Sequence, residues 1–265
     1  MLGCIMWNAY SFIFLFLIIT VLSVWEFYSL AEKAGAAPQK YLGLLLATGL
    51  FLSIVFFMNT IGGCFAGEIP NNVISISLVS IFLIFPIELY RKRTNPFANI
   101  AWTLLGIIYG ALPYSLFVFI GFKTSNPDIH QYHAYIILGY LFILWSSDVG
   151  AYLIGSRFGK HRLFERISPK KSWEGSIGGG IIAIGVALLI SFYFKELSMI
   201  NWLVMAFIIV VAGTYGDLVE SLFKRSIGVK DSGTLLPGHG GILDRFDGLI
   251  LSAPFVFIYL LLFAK

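Results

Sequence analysis

Residues 134–155 read AYIILGYLFILWSSDVGAYLIG, an apolar run broken by a single charged side chain, Asp148. A run above roughly 18 apolar residues is long enough to cross the hydrocarbon core of a bilayer as a helix. Seven comparable runs accompany it, over 9–30, 41–59, 71–90, 98–121, 176–194, 200–217 and 248–264. In hydrocarbon, backbone N–H and C=O groups must be satisfied within the segment, so each run predicts a helix. The expected fold class is all-α: a polytopic integral membrane protein with eight transmembrane helices. Pro113 predicts a kink in the run 98–121. Gly178, Gly179 and Gly180 predict close helix packing where the sixth run opens.

Composition agrees. Of 265 residues, 58% are hydrophobic, 17% aromatic and 12% charged, and the mean hydropathy is +0.86. A soluble domain carries about 25% charged residues, so a soluble enzyme, a disordered regulator and a secreted disulfide scaffold are excluded. The net charge of +4 does not mark a nucleic-acid partner, because the basic residues are scattered between apolar runs and form no phosphate-tracking face. Two cysteines, Cys4 and Cys64, make neither a disulfide framework nor a zinc site. The N-terminus lacks a basic flank and its apolar run is too long for the core of a cleavable signal.

Fifteen of the 18 Lys and Arg residues fall in the connections that follow the odd-numbered runs. The positive-inside rule places those connections in the cytoplasm, and both ends of the chain as given then lie outside. The polar residues gather on the same side, so a site would face the cytoplasm.

The densest polar stretch is 216–247, GDLVESLFKRSIGVKDSGTLLPGHGGILDRFD. Asp217 and Glu220 are three apart, as are Asp244 and Asp247, a spacing that puts two carboxylates on one helix face. These hard oxygen donors suit Mg²⁺, which takes a few carboxylates plus substrate phosphates. The glycine-rich turn at His239, Gly240 and Gly241 precedes the second pair, and such a turn feeding a helix N-terminus offers amides to an anion. Lys224, Arg225, Lys230 and Arg245 add donors for phosphate oxygens. Together these are the parts that phosphoryl or nucleotidyl transfer requires; the plain alternative is a solvated loop of mixed charge.

A second cluster, Ser168-Pro169-Lys170-Lys171-Ser172-Trp173, precedes the sixth run. Its lysines could hold a triphosphate or an anionic lipid head group, or serve as ordinary positive-inside anchors beside an interfacial Trp. Asp148, inside a span, is a functional candidate by default. Glu26 and Glu88 lie near cytoplasmic ends and read as interfacial residues pairing with a nearby Lys or Arg.

At these residues the sequence resembles the phosphatidate cytidylyltransferases, also called CDP-diacylglycerol synthases. The pattern is carried by Ser221, Lys224, Arg225, Lys230, Asp231, Pro237, His239, Gly240, Gly241, Asp244, Arg245 and Asp247. Gly216-Asp217 with Glu220, the Ser-Pro-Lys-Lys stretch, and Asp148 with Ala151-Tyr152 and Gly155 are similar to further blocks of that family. The resemblance covers about residues 20–265. One departure is that family members usually carry a further apolar helix before the one ending in Trp25-Glu26; such a helix upstream would return the N-terminus to the cytoplasm.

The resemblance implies CMP transfer from CTP to phosphatidate, giving CDP-diacylglycerol and pyrophosphate. It implies metal ligation by Asp217, Glu220, Asp244 and Asp247, with Mg²⁺ as cofactor and a second cation as an open count. Catalytic roles fall to Asp148, Lys224, Arg225, Lys230, Asp231, His239 and Arg245. Ser168, Lys170, Lys171, Gly240 and Gly241 would bind nucleotide or lipid phosphate. The chain is then one domain, 1–265, with N-terminal helices 1–121 and a catalytic part 134–265, in the cytoplasmic (inner) membrane. Its partners would be CTP, phosphatidate and the bilayer, with a homodimer left open and no nucleic acid.

Two rivals remain. An ion-coupled transporter would place Asp148 in its pathway, but it predicts an internal repeat and midplane charges, and the sequence has neither. A polyprenol kinase shares the need for CTP and metal. CDP-alcohol phosphotransferases are disfavoured because Asp247-Gly248 leads into Leu249-Ile250 rather than into their Ala-Arg motif.

Overall fold

The computed structural model describes residues 1–62, 72–122, 132–229, 231–233 and 240–264. Among these residues the chain forms α1 (Leu2–Trp7), α2 (Ala9–Lys33), α3 (Lys40–Gly62), α4 (Val73–Ser80), α5 (Ile84–Arg91), α6 (Pro96–Gly110) and α7 (Leu112–Ile120). There follow α8 (Ala134–Phe158), strands β1 (Arg162–Phe164) and β2 (Ser168–Ser172), then α9 (Trp173–Tyr193), α10 (Met199–Ser226) and α11 (Leu243–Phe263). A turn of 3₁₀ helix, Ile81–Leu83, joins α4 to α5. Eight helical segments are long and apolar enough to cross a membrane, with α4–α5 and α6–α7 each counting as one. The chain is an all-α, polytopic membrane protein.

Helix starts follow local chemistry. Asn8 and Ser11 form a reciprocal capping box at α2, and the Ser172 hydroxyl accepts from Gly175 N at 3.1 Å at the head of α9. Each satisfies an amide that a helix end would otherwise leave bare in an apolar setting. The expected kink at Pro113 appears as a break: α6 ends at Gly110, Ala111 has φ −109°, and Pro113 sits in the first turn of α7. Proline has no N–H for the preceding turn, and it is tolerated where a helix begins.

The described residues cluster into two compact units. The first holds residues 3–132 together with 231–245. Its core is aromatic, with Phe16 in ring contact with Phe12, Tyr114 and Phe117, and Phe12 also with Phe117. Tyr28 is fully buried and donates to Thr103 O at 2.8 Å. Its ring fills the space where a Cβ would stand at Gly43 and Gly106, so both glycines are set by contact with one side chain. Glu88 is 3% exposed and accepts from Gln39 at 2.7 Å, Arg91 at 2.8 Å and Asn99 at 2.9 Å.

The second unit holds residues 133–230 and 246–265. In it α8 packs along α9, and the expected small-residue contact is present. A Cβ on Gly179 would strike Ser147 O and Ala151, and one on Gly178 would strike Ile154. The α10–α11 contact uses the same device, with Gly213 against Gly248 and a Cβ on Gly216 blocked by the Asp247 carbonyl. Tyr140 on α8 and Ser252 on α11 share a 2.5 Å hydrogen bond.

Two features go beyond the sequence expectation. Between the fifth and sixth runs the chain forms a hairpin, β1 and β2 pairing antiparallel with Arg162 opposite Ser172. The seventh helix also runs on to Ser226, nine residues past the apolar run, carried by the Glu220–Lys224 ion pair one turn apart.

Candidate active site

A cavity of about 510 Å³ lies in the second unit, lined from four elements. Asp148, Tyr152 and Ser156 come from α8; Ser176 comes from the first turn of α9; Thr214 and Asp217 come from α10. The hairpin contributes Arg162, Lys170 and Lys171. Pairing Arg162 with Ser172 brings a residue ten positions upstream beside the two lysines. Three cations thus line the cavity along with a helix N-terminus, a setting suited to phosphate oxygens.

The same cavity is also lined by the acids Asp148 and Asp217. Lys171 Nζ is ion-paired and hydrogen-bonded to the Asp217 carboxylate, and Asp148 lies within electrostatic reach of both. The carboxyl group of Asp247, on α11, is in hydrogen-bond contact with that of Asp217. Glu220, one turn along α10, is 2% exposed and pairs with Lys224 at 2.6 Å. Asp148, Asp217, Asp247, Lys170 and Lys171 are therefore brought together, with Glu220 and Lys224 beside them on α10.

The remaining candidates are placed elsewhere. Arg225 is exposed on the last turn of α10, and Ser168 begins β2 without lining the cavity. Asp231, Gly240, Gly241, Asp244 and Arg245 belong to the first unit. There Asp244 Oδ2 accepts from Ser232 N at 3.0 Å, Ser232 Oγ at 3.0 Å and Gly241 N at 2.9 Å. Gly240 has φ +79°, a left-handed conformation that glycine adopts without strain. Lys230 and His239 lie outside the described residues.

Sequence reading missed Arg162 and misplaced Glu26. Arg162 sits among residues that read as a basic connection, and only the hairpin register brings it to the cavity. Glu26 was expected to pair with a surface cation. It is instead 3% exposed and accepts from Leu243 N at 2.9 Å and Ser232 Oγ at 3.2 Å.

Comparison with known proteins defines the class. The model of the cytidylyltransferase family matches residues 1–263. A phosphatidate cytidylyltransferase of Staphylococcus haemolyticus is 37% identical over 199 residues, covering 74% of this chain and 73% of that protein. One of Staphylococcus aureus is 36% identical over 222 residues, covering 83% and 79%. The chain belongs to the cytidylyltransferase family and is a nucleotidyltransferase embedded in the membrane.

Proposed function

We propose that this chain transfers CMP from CTP to phosphatidate, yielding CDP-diacylglycerol and pyrophosphate, at the cavity of the second unit. The observation that carries the reading is the contact between the Asp217 and Asp247 carboxyls beside Lys171. Two carboxyls so close must share a proton or have a counter-charge, and a divalent cation bound there would supply it. Mg²⁺ commonly binds through one or two carboxylates completed by substrate phosphates. That donor set fits, although no cluster of three or more His, Cys, Asp or Glu at metal-binding spacing occurs among the described residues.

Asp217 and Asp247 would hold Mg²⁺, with Glu220, one turn along α10, in support. When bound, the cation neutralises charge on the α-phosphate and on the departing pyrophosphate. Arg162, Lys170 and Lys171 hold phosphate oxygens of the two substrates, while Lys224 is held in place by Glu220. A phosphatidate oxygen attacks the α-phosphorus of CTP in line, the α–β P–O bond breaks, and pyrophosphate leaves with the electron pair. The attacking phosphate is already anionic, so no protein nucleophile is required. Catalysis consists of charge neutralisation and alignment of two polyanions. The Lys and Arg bias supports a cytoplasmic face of the inner membrane, where CTP arrives from water and the lipid from the inner leaflet.

The test is purified protein with labelled CTP, Mg²⁺ and either phosphatidate or a polyprenol. A CDP-lipid formed with phosphatidate alone is expected. A phosphorylated polyprenol would establish the kinase, and no CTP consumption would favour the transporter. Chelation of Mg²⁺ should abolish turnover reversibly. Asp217→Asn or Asp247→Asn should lower kcat at least ~10³-fold with membrane expression intact, and near-normal turnover in either would refute the metal assignment.

A further inference from the structure

Glu26 stands outside the cavity and is used by none of the steps above, yet it is a carboxylate buried within an apolar helix. Such a group is costly to keep in a membrane protein unless its contacts serve a purpose. All of its contacts converge on one place. Its Oε2 accepts from the backbone N–H of Leu243, the first residue of α11, across 217 positions of sequence. That amide is one of the donors that a helix start leaves without an intrahelical partner, and a negative charge there also complements the helix dipole. Helices α2, α9 and α10 are capped by their own neighbours in sequence; α11 receives its cap from α2.

The contact extends beyond one bond. Ser232 Oγ lies 3.2 Å from Glu26 Oε2 and 3.0 Å from Asp244 Oδ2, so one hydroxyl joins the two carboxylates. Asp244 in turn takes the amides of Ser232 and Gly241. A Cβ on Gly233 or on Gly241 would enter the space of the Glu26 carboxylate. The glycines on both sides of the loop are therefore spaced to admit this side chain.

We propose that Glu26 is a positioning residue: it locks residues 231–233 and 240–243 to α2 and so sets the start of α11, the helix that carries Asp244 and Asp247. The kinetic part of this proposal rests on the cytidylyltransferase reading; the structural part does not.

Three measurements on the full-length protein in detergent test it. Glu26→Ala should lower kcat by about tenfold or more and raise the half-saturating Mg²⁺ concentration, with the KM for phosphatidate unchanged. Glu26→Gln, whose amide oxygen still accepts from Leu243, should recover most of the activity. Hydrogen exchange over 231–243 should be faster in Glu26→Ala and close to that of the parent in Glu26→Gln. Parental kcat and exchange in Glu26→Ala, or a Gln variant as impaired as the Ala variant, would overturn the proposal. If Glu26→Ala does not fold, Ser232→Ala serves in its place, with faster exchange expected and parental exchange decisive against the lock. A parent protein inactive toward phosphatidate would remove the reaction, and the exchange data would still decide the role of Glu26.

Discussion

Glu26 and Glu88 look alike in the sequence, each an acid near the end of an apolar run, and both are 3% exposed. Their surroundings are opposite in kind. Glu88 has an ion-pair partner in Arg91 and further donors in Gln39 and Asn99, and Arg91 also donates to the carbonyls of Ala37 and Pro38. Glu26 has a hydroxyl and an amide on Oε2, no ion pair with any described residue, and an Oε1 without a hydrogen bond among the described residues. A neutralised, fully bonded acid fastens helices together. An acid that spends its charge on the amide of a helix start fastens a loop, and in this chain the loop carries the signature residues.

The contrast can be broken, or sharpened, by substitution. The largest expected effect is on stability: Arg91→Ala leaves a buried carboxylate unpaired, a loss of about 3–5 kcal/mol. A thermal melt should show it, while the folded fraction keeps its kcat; a parental melting temperature would mean that Glu88 needs no counter-charge. Next is Gly241→Ala, whose Cβ has no room beside Glu26 and Ser232. Its kcat should fall about 100-fold, with a much smaller shift in melting temperature than in Arg91→Ala; unchanged turnover would show that the loop can yield. Asn99→Ala, which removes one neutral donor from Glu88 and the side-chain acceptor of Ala37 N–H, should cost about 1–3 kcal/mol and leave kinetics alone. Smallest is Ser232→Ala, expected at about 1 kcal/mol of stability with a severalfold drop in kcat; a pure stability effect would place Glu26 in the same class as Glu88.

These two glutamates also show where sequence reading stops. The eight spans were legible because length and apolarity are local properties, as was the break at Pro113. The acids of 217–247 were legible because helix spacing predicts which of them share a face; Asp217 and Glu220 do lie along α10. The hairpin was not, since Glu165, Arg166 and Ile167 between its strands include neither glycine nor proline and give no sign of a turn. The role of Glu26 could not be read at all, because its partner is 217 residues away and nothing near Trp25 points to it. Asp244 and Asp247, spaced as a pair, turn to different partners, Ser232 and Gly241 for one and Asp217 for the other.

The contact between α8 and α9 has one more consequence. Gly175, Gly178 and Gly179 leave a trough on α9 whose floor is backbone, and Ala151, Ile154 and the Ser147 carbonyl lie in it. Packing this close fixes the rotation of α9 about its own axis against α8. The hairpin is joined directly to the head of α9 through Ser172, so the azimuth at which Lys170 and Lys171 leave that helix is dictated by three missing side chains one to two turns below. A methyl group added at Gly179 would therefore act as a change of heading for the lysines.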